Sequence, residues 1–443
     1  VDERALIDDV TRQRWYGAKS RTVVRAQTLD TVTIRQAEPR LALALVELRY
    51  DTGAHDLYQL LLSDRGDAAD GLAANPNLAR ELVSAMRAGL TVQGGQGIVE
   101  FRPAADFSAL GRELGAARPV DSEQSNSSVV FDDALILKIF RRLEPGINPE
   151  LELLRFLGEH GFRNMPALGG WYGYSGGPLT ATLGILQEYI PDAVNGWQVA
   201  LEEIAAAPER FLDRLKRLGE VTAQMHTVLG SDPGDPAFAP EEPSVEMLGL
   251  LTATVDEEIA QVFVSLPEDD ERLAPIAGRG EEVREQLRLL AHAGSSGRVI
   301  RIHGDYHLGQ TLVAGNDWVI LDFEGEPART LAERRRKRSP LRDVAGMLRS
   351  FAYAATAVAL TPGADLPADW EERARQRFLE RYLETVDRAL LPAGEAAIDR
   401  LLAVFELEKA VYELRYELDN RPDWVRIPVA GIERLMEQAA EAL

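Results

Sequence analysis

The 443-residue chain contains no cysteine. That excludes disulfides, thiolate metal sites and a cysteine nucleophile, and it fits a cytosolic enzyme. No uninterrupted apolar run approaches the roughly 18 residues that span a bilayer. Residues 1–10 hold four acidic side chains and no apolar stretch, so no signal peptide is expected. Positive charge is scarce, with 49 Lys and Arg against 71 Asp and Glu, a net charge of −22. Such a balance argues against nucleic acid or an anionic membrane as the main partner. Any phosphate-binding site must then be a local basic or metal-bearing pocket in a negative field. A cytoplasmic protein, monomeric or a small homo-oligomer, is expected.

What is present is ample apolar material, 45% of the chain, and a length that points to two or three domains. The first ~90 residues read as short alternating strands, at Thr31–Arg35, Leu41–Tyr50 and Leu57–Leu62, with a helix near Asn77–Arg87. A Gly-rich stretch, Gln93–Gly97, marks a junction or hairpin. Strands continue to Ile190, among them Val129–Phe131, Leu135–Phe140 and Leu183–Ile190, with one helix opened by Asn148-Pro149 and running through Glu150–His160. Beyond Gly196 amphipathic helical stretches dominate, at Pro208–Leu229, Glu281–Ala293, Trp370–Leu391 and Ala396–Asp419. This order predicts an α+β, two-lobe chain: residues 1–95 a β-rich cap, 96–190 a small lobe, 191–443 a large helical lobe.

The strongest chemical signal is Val299-Ile300-Arg301-Ile302-His303-Gly304-Asp305-Tyr306-His307-Leu308-Gly309-Gln310, followed by Trp318-Val319-Ile320-Leu321-Asp322-Phe323-Glu324. An apolar strand delivers one aspartate in a Gly-containing turn, and a second strand delivers another shortly after. Phosphoryl transfer to an alcohol needs two such carboxylates, one to orient the hydroxyl proton and one to hold Mg²⁺ against the phosphates. The Gln310 amide can add an oxygen ligand to the metal. Either aspartate alone is equally well read as an ordinary turn residue; the combined pattern is not. No Gly-x-x-x-x-Gly-Lys occurs, which excludes a P-loop enzyme.

These residues resemble the catalytic loop and metal-binding aspartate of the aminoglycoside-phosphotransferase superfamily, relatives of the protein kinases. The resemblance is closer to its maltokinase and glucosamine-kinase group, through Arg14–Lys19, Leu137–Asn148, Asp322–Pro327, Leu331–Ser350 and Tyr412–Pro428. It implies a bilobal protein-kinase-like fold with an extra N-terminal cap, and ATP with Mg²⁺ in the cleft between lobes. Asp305 would be the catalytic base, and Gln310 and Asp322 the metal ligands. Lys138 would neutralise the α/β-phosphates, with Glu152 as its ion-pair partner and Glu150 competing for that role. Ser125, Asn126, Ser127 and Ser128 would replace a glycine-rich phosphate loop, their small side chains admitting backbone N–H groups to the phosphates. Backbone groups of Glu188 and Ile190 would bind the adenine edge.

The acceptor is expected to be a small sugar or amino sugar. Asp192 and His307 are candidate contacts. Tyr412, Glu413, Tyr416 and Glu417 recur at helical spacing, and this face either lines a sugar site or packs into the core; Trp424 is either core or a stacking platform. Relative to the maltokinase pattern, Tyr306 stands for Leu, Ala352 for Asp, and the segment Pro191–Trp197 exchanges Asp and Asn; these departures are expected on the acceptor side. They favour glucosamine, made into glucosamine 6-phosphate, over maltose, made into maltose 1-phosphate. An aminoglycoside phosphotransferase and a kinase-like binding module that has lost catalysis also fit these residues. The run Glu333–Arg338 reads as a solvated face, and Asp343 as a helix cap or an anchor of the catalytic loop.

Overall fold

The computed structural model of the chain describes residues 3–38, 40–63, 75–105, 114–120, 126–267, 270–291, 297–361 and 366–441. Alternating apolar runs near the N-terminus give three long strands, β1 (Val23–Arg35), β2 (Leu41–Tyr50) and β3 (His55–Ser63). They pair antiparallel, and a two-residue strand from much later in the chain, β9 (Arg142–Leu143), joins the β3 edge. Helix α1 (Glu3–Thr11) has Leu6 and Val10 one turn apart, and that apolar stripe enters a buried cluster with Trp15, Tyr16, Val46, Leu48, Tyr50, Tyr58 and Leu60. Sequence patterning alone did not bring α1 out. The expected helix near Asn77–Arg87 is present as a short 3₁₀ turn, Pro76–Leu78, and α2 (Ala79–Ala88). Its N-terminal signal is the Asn75 side chain accepting from Asn77 N, and it ends at Gly89 in the left-handed region.

A seven-stranded antiparallel sheet follows. Its strands are β4 (Thr91–Gln93), β5 (Gly97–Pro103), β6 (Ala117–Val120), β7 (Asn126–Phe131), β8 (Leu135–Phe140), β10 (Leu168–Gly176) and β11 (Thr180–Glu188), in the order β4-β5-β10-β11-β8-β7-β6. Gln93–Gly97 closes the β4–β5 hairpin, and the buried Asp30 of β1 accepts from Gly95 N and Gln96 N in that turn and from the Tyr174 hydroxyl. Asp132 and Asp133, both at φ 50, are the central pair of a turn closed by Ala134 N donating to Phe131 O, which opens the three-residue β7–β8 connection and needs positive φ at both positions. The glycines of β10 hid that strand from a patterning argument, yet a Cβ at Gly170 would stand 2.8 Å from the Arg102 carbonyl of β5. Helix α3 (Pro149–Glu159) is capped by the Asn148 side chain, with proline in its first turn as expected.

The rest is mostly helical: α4 (Gly196–Ala206), α5 (Pro208–Leu229), α6 (Val245–Val264), α7 (Gly280–Ala291), α8 (Leu331–Arg334), α9 (Leu341–Ala359), α10 (Trp370–Thr385), α11 (Glu395–Asn420) and α12 (Arg426–Glu441). A small sheet, β12 (Val194–Asn195), β13 (Thr311–Ala314) and β14 (Asp317–Ile320), interrupts the helices. The long helix expected over Trp370–Leu391 stops at Thr385, because Val386 turns extended and the Asp387 side chain caps a separate 3₁₀ turn. One apolar core gathers α6, α7, α11 and α12 through Ile259, Leu287, Leu407, Val411, Leu414 and Ile432. The chain divides into two compact units, Val1–Asp192 with Arg329–Leu331, and Ala193–Ala328 with Ala332–Leu443. The β-rich cap region and the seven-stranded sheet lie in the same unit. Among the described residues no helix is long and apolar enough to cross a membrane.

Candidate active site

In the first unit the candidate nucleotide-binding residues lie on the β7–β8 pair. Ser128 faces Lys138 across the ladder, and Asn126 faces Phe140. Side chains alternate along a strand, so Asn126, Ser128 and Lys138 share one face while Ser127 lies on the other. There Ser127 Oγ accepts from Arg141 Nε at 2.8 Å. The expectation of one continuous phosphate loop is corrected to that extent: residues 126–128 are strand, and Ser127 points away from Lys138. Ser125 lies outside the described residues.

Lys138 Nζ is 2.8 Å from Glu150 Oε2, with the lysine side chain 11% exposed and the glutamate 3%. Gln187 Nε2 donates to the other Glu150 oxygen at 2.9 Å. The partner is therefore Glu150 and not Glu152. Two residues turn a helix by about 200°, so these glutamates point to nearly opposite sides of α3, and the buried face carries Glu150. At the end of β11, Glu188 N is committed to the Ala167 carbonyl. Its share in any adenine contact thus falls to its carbonyl, beside the N–H of Ile190.

In the second unit the His-Gly-Asp turn is held from beneath. Asp343, in the first turn of α9, accepts from His303 N at 2.8 Å and Gly304 N at 2.9 Å. Its Oδ2 also takes His226 Nε2 at 3.2 Å, and the other ring nitrogen of His226 meets the Tyr382 hydroxyl at 2.9 Å. Burial opposes the Asp343 charge, but the bonds from His226 and the loop amides outweigh it and hold the carboxyl below its ordinary range. His303 ties the turn to the next strand through Leu321 O at 2.8 Å. Gly304, at φ 88, makes the turn that a side chain would strain. Asp305 is left at the tip, its side chain 20% exposed.

Gln310 Nε2 stands 3.0 Å from Asp322 Oδ2, so the two expected metal ligands are adjacent. Asp322 is also one of four non-glycine residues at positive φ among those described, at 58°; such backbone is uncommon and concentrates at functional sites. An amide oxygen and a carboxylate are the hard donors magnesium takes, and this pair fits that ion. His307 Nδ1 accepts from Gly309 N, which leaves the proton on Nε2, 3.9 Å from Asp305 Oδ2. Desolvation lowers the His307 pKa, and the Asp305 charge partly offsets it.

The expected acceptor face on α11 separates into two parts. Glu413 is buried and taken up by Arg349, at 2.6 Å. Glu417 is buried too, accepting from the Tyr353 hydroxyl at 2.9 Å and from Arg421. Both carboxylates are corrected to structural partners, since each has a buried or charged donor on a neighbouring turn or helix. Tyr416 is exposed beneath the Arg421 guanidinium, and Trp424 stacks on Tyr353 with centroids 6.0 Å apart. Tyr412 is half-buried, with the Lys409 ammonium over its ring at 5.3 Å from the centroid. Its hydroxyl pKa is raised first by burial, then by Glu326, with Lys409 opposing and Asp305 adding to the rise. Asp192 is exposed at φ 58 in the first unit.

Removing one partner of a buried ion pair costs about 3–5 kcal/mol, because the other charge stays behind. Glu413→Ala should therefore lower the urea midpoint sharply, and Arg349→Met/Glu413→Met should recover most of the loss. Equal midpoints for Glu413→Ala and wild type would make Glu413 an acceptor contact again.

Several expectations fail for one reason, burial. Tyr306 is 3% exposed with its hydroxyl on Thr222, and Ala352 is 5% exposed inside α9. Neither departure from the maltokinase pattern lines an acceptor surface. Asn195 caps α4 and donates to Gly309 O. The run Glu333–Arg338 is half-buried to exposed: Arg334 donates to Glu324 O, Lys337 bonds Pro236 O and Glu241, and the Arg338 backbone bridges Ile300. Glu326, within the Asp322–Pro327 motif, and Lys409, one helical turn before Glu413, were not singled out in the sequence; both charges act on the Tyr412 hydroxyl.

Residues 116–325 match the phosphotransferase enzyme family, and residues 10–92 match the maltokinase N-terminal cap domain. A glucosamine kinase of Mycolicibacterium smegmatis is 30% identical over 334 residues, covering 72% of this chain and 80% of the relative. The chain belongs to the phosphotransferase enzyme family. A second glucosamine kinase, of Streptacidiphilus jiangxiensis, is 29% identical over 440 residues, 91% of this chain and 97% of that one. Two solved glucosamine kinase structures share the fold, at TM-scores of 0.75 and 0.74 and 21% and 22% identity. Each aligns with 97% of this chain, and with 99% and 98% of its own; the second holds glucosamine, ADP and inorganic phosphate. As a member of this family the protein is an ATP-dependent phosphotransferase with an alcohol group of a sugar as acceptor.

Proposed function

We propose that the chain transfers the γ-phosphoryl group of ATP to the 6-hydroxyl of glucosamine. The observation that carries this reading is the anchored Asp305 turn together with the Gln310–Asp322 pair, in a chain similar to two glucosamine kinases. Residues 1–95 form the cap, 96–190 the nucleotide lobe and 191–443 the catalytic lobe. Lys138, held by Glu150, balances phosphate charge on the face it shares with Asn126 and Ser128. Gln310 and Asp322 would hold Mg²⁺, which when bound supplies positive charge against the phosphates. Asp305 orients the acceptor hydroxyl and takes its proton as the oxygen–phosphorus bond forms and the bond to the β,γ-bridging oxygen breaks, releasing ADP. His307, its Nε2 3.9 Å from Asp305 Oδ2, flanks this proton acceptor, and Tyr412 is assigned to the sugar. ATP is a cytoplasmic metabolite, and we place the enzyme there.

Glucosamine is a cation at neutral pH and calls for a carboxylate. We assign that contact to Glu326, four residues after Asp322. A charge-assisted contact is worth about 1.5–3 kcal/mol, or roughly 10- to 150-fold in KM at 1.4 kcal/mol per decade. Glu326→Gln should raise KM for glucosamine by that factor, and wild type should disfavour neutral glucose and N-acetylglucosamine comparably. The cap match supports a second reading, maltokinase. The test is kcat/KM by coupled ADP release for glucosamine, glucose, maltose and an aminoglycoside. Maltose or the aminoglycoside ahead of glucosamine overturns the acceptor, and no ADP release with any of them overturns the activity.

A further inference from the structure

The side chain of Arg141 is fully buried where β8 ends and the chain crosses into the cap sheet as β9. Three groups converge on it. Its Nε donates to Ser127 Oγ at 2.8 Å, on the face of β7 opposite Lys138. Its guanidinium lies over the indole of Trp15, 5.2 Å from the ring centroid. Its backbone carbonyl accepts from Gln59 N at 2.8 Å, and Gln59 is itself wholly buried in β3. The Gln59 side chain then donates to Phe140 O at 2.9 Å and Leu183 O at 2.8 Å, and accepts from the Tyr172 hydroxyl at 2.9 Å. Trp15 and Gln59 belong to the cap region; Ser127, Phe140 and Leu183 belong to β7, the end of β8, and β11. Next to Trp15, Arg14 makes a long contact, 3.4 Å, to the Val120 carbonyl at the end of β6.

Backbone hydrogen bonds already pair β7 with β8, so these extra contacts are not needed to form the ladder. What they add is position. A planar guanidinium clamped between an indole and a serine hydroxyl fixes β7 from behind, at the residue between Asn126 and Ser128. Lys138 lies three residues before Arg141, and Glu150 lies nine residues after it.

We infer that Arg141 is a positioning residue through which the cap, by Trp15 and Gln59, sets the phosphate-facing surface of β7 and β8. This rests on the reading of Asn126, Ser128 and Lys138 as the nucleotide-binding face. Arg141 lies on the reverse of the sheet and so touches no nucleotide. The cap thereby contributes to donor binding without reaching the donor.

The test measures Mg·ATP affinity, KM for ATP, KM for the sugar, kcat and melting temperature on the full chain. Arg141→Lys keeps the cation and loses the fork, and Ser127→Ala removes the acceptor without opening a large cavity. Each should raise KM for ATP about fivefold to tenfold, leaving kcat and sugar KM within about twofold. Because both break the same contact, the double variant should be no worse than the worse single. Trp15→Phe should act in the same direction, less strongly. Unchanged KM for ATP with a lowered melting temperature makes Arg141 merely structural and overturns the inference. So do multiplying effects in the double variant, which would mean that Ser127 contacts phosphate directly. Lys138→Met is the control. If it binds Mg·ATP like wild type, the nucleotide face itself is misread; if it loses binding while the Arg141 and Ser127 variants keep it, only the inference about the cap fails.

Discussion

Replacing Asp305 by asparagine is expected to remove turnover and leave Mg·ATP binding within about twofold. Asparagine preserves shape and a hydrogen-bonding oxygen, but it cannot accept the acceptor's proton. General-base assistance is typically worth 10²–10⁴ in rate, so kcat should fall by that much. The fold should be untouched, because the turn is fixed through the backbone amides of His303 and Gly304 and not through the Asp305 side chain. Equilibrium nucleotide binding and ADP release, measured side by side, separate the two effects. A variant retaining more than a tenth of the wild-type rate, about 1.4 kcal/mol of barrier, would falsify the assigned role.

Asp322 variants should fail differently. Several kcal/mol of charge stabilisation by a bound metal corresponds to two or more decades, so Asp322→Ala should lose at least about 100-fold in kcat/KM for ATP. Raising Mg²⁺ should restore part of it, which it should not do for Asp305→Asn. Alanine at φ 58 also strains the backbone. Asp322→Asn controls for this, since asparagine tolerates the left-handed region while offering a neutral oxygen. A normal Mg²⁺ dependence in Asp322→Asn would assign the metal to other residues.

The parts of this site visible in the sequence were those that local chemistry dictates. A lysine inside Leu135–Phe140 had to emerge on a sheltered face, and Gln310 and Asp322 bracket the β13–β14 hairpin; the apolar stretch before Asp305 makes only isolated bridges at Val299 and Ile300 and not the strand expected there. What stayed hidden depends on which face of an element meets its neighbour. Glu150 and Glu152 differ by about 200° around α3, and only the packing of that helix chooses between them. On α11, Glu413 and Glu417 stand four apart, as do Arg349 and Tyr353 on α9, and the two pairs meet. No property of α11 alone announces that encounter, so an acceptor face was as good a reading as an ion-paired core. Tyr306 misled for the same reason: a tyrosine beside a catalytic aspartate looks like a ligand group, and its partner Thr222 is 84 residues away. The N-terminal cap strands were legible from alternation, whereas β10, carrying glycines where strands abut, was not.

The two residues of β9 set a limit on protein engineering. A cap that borrows its edge strand from residues 142–143, and whose Asp30 closes the turn between β4 and β5, is not a cassette. A chimaera that exchanges residues 1–90 for a relative's cap would mate a foreign β3 with a resident β9 and leave Gln59's four bonds to chance. Moving the graft boundary alone does not solve this, because β9 lies between the two halves of the Lys138–Glu150 pair. Caps can be traded among relatives only together with the segment from β8 to α3.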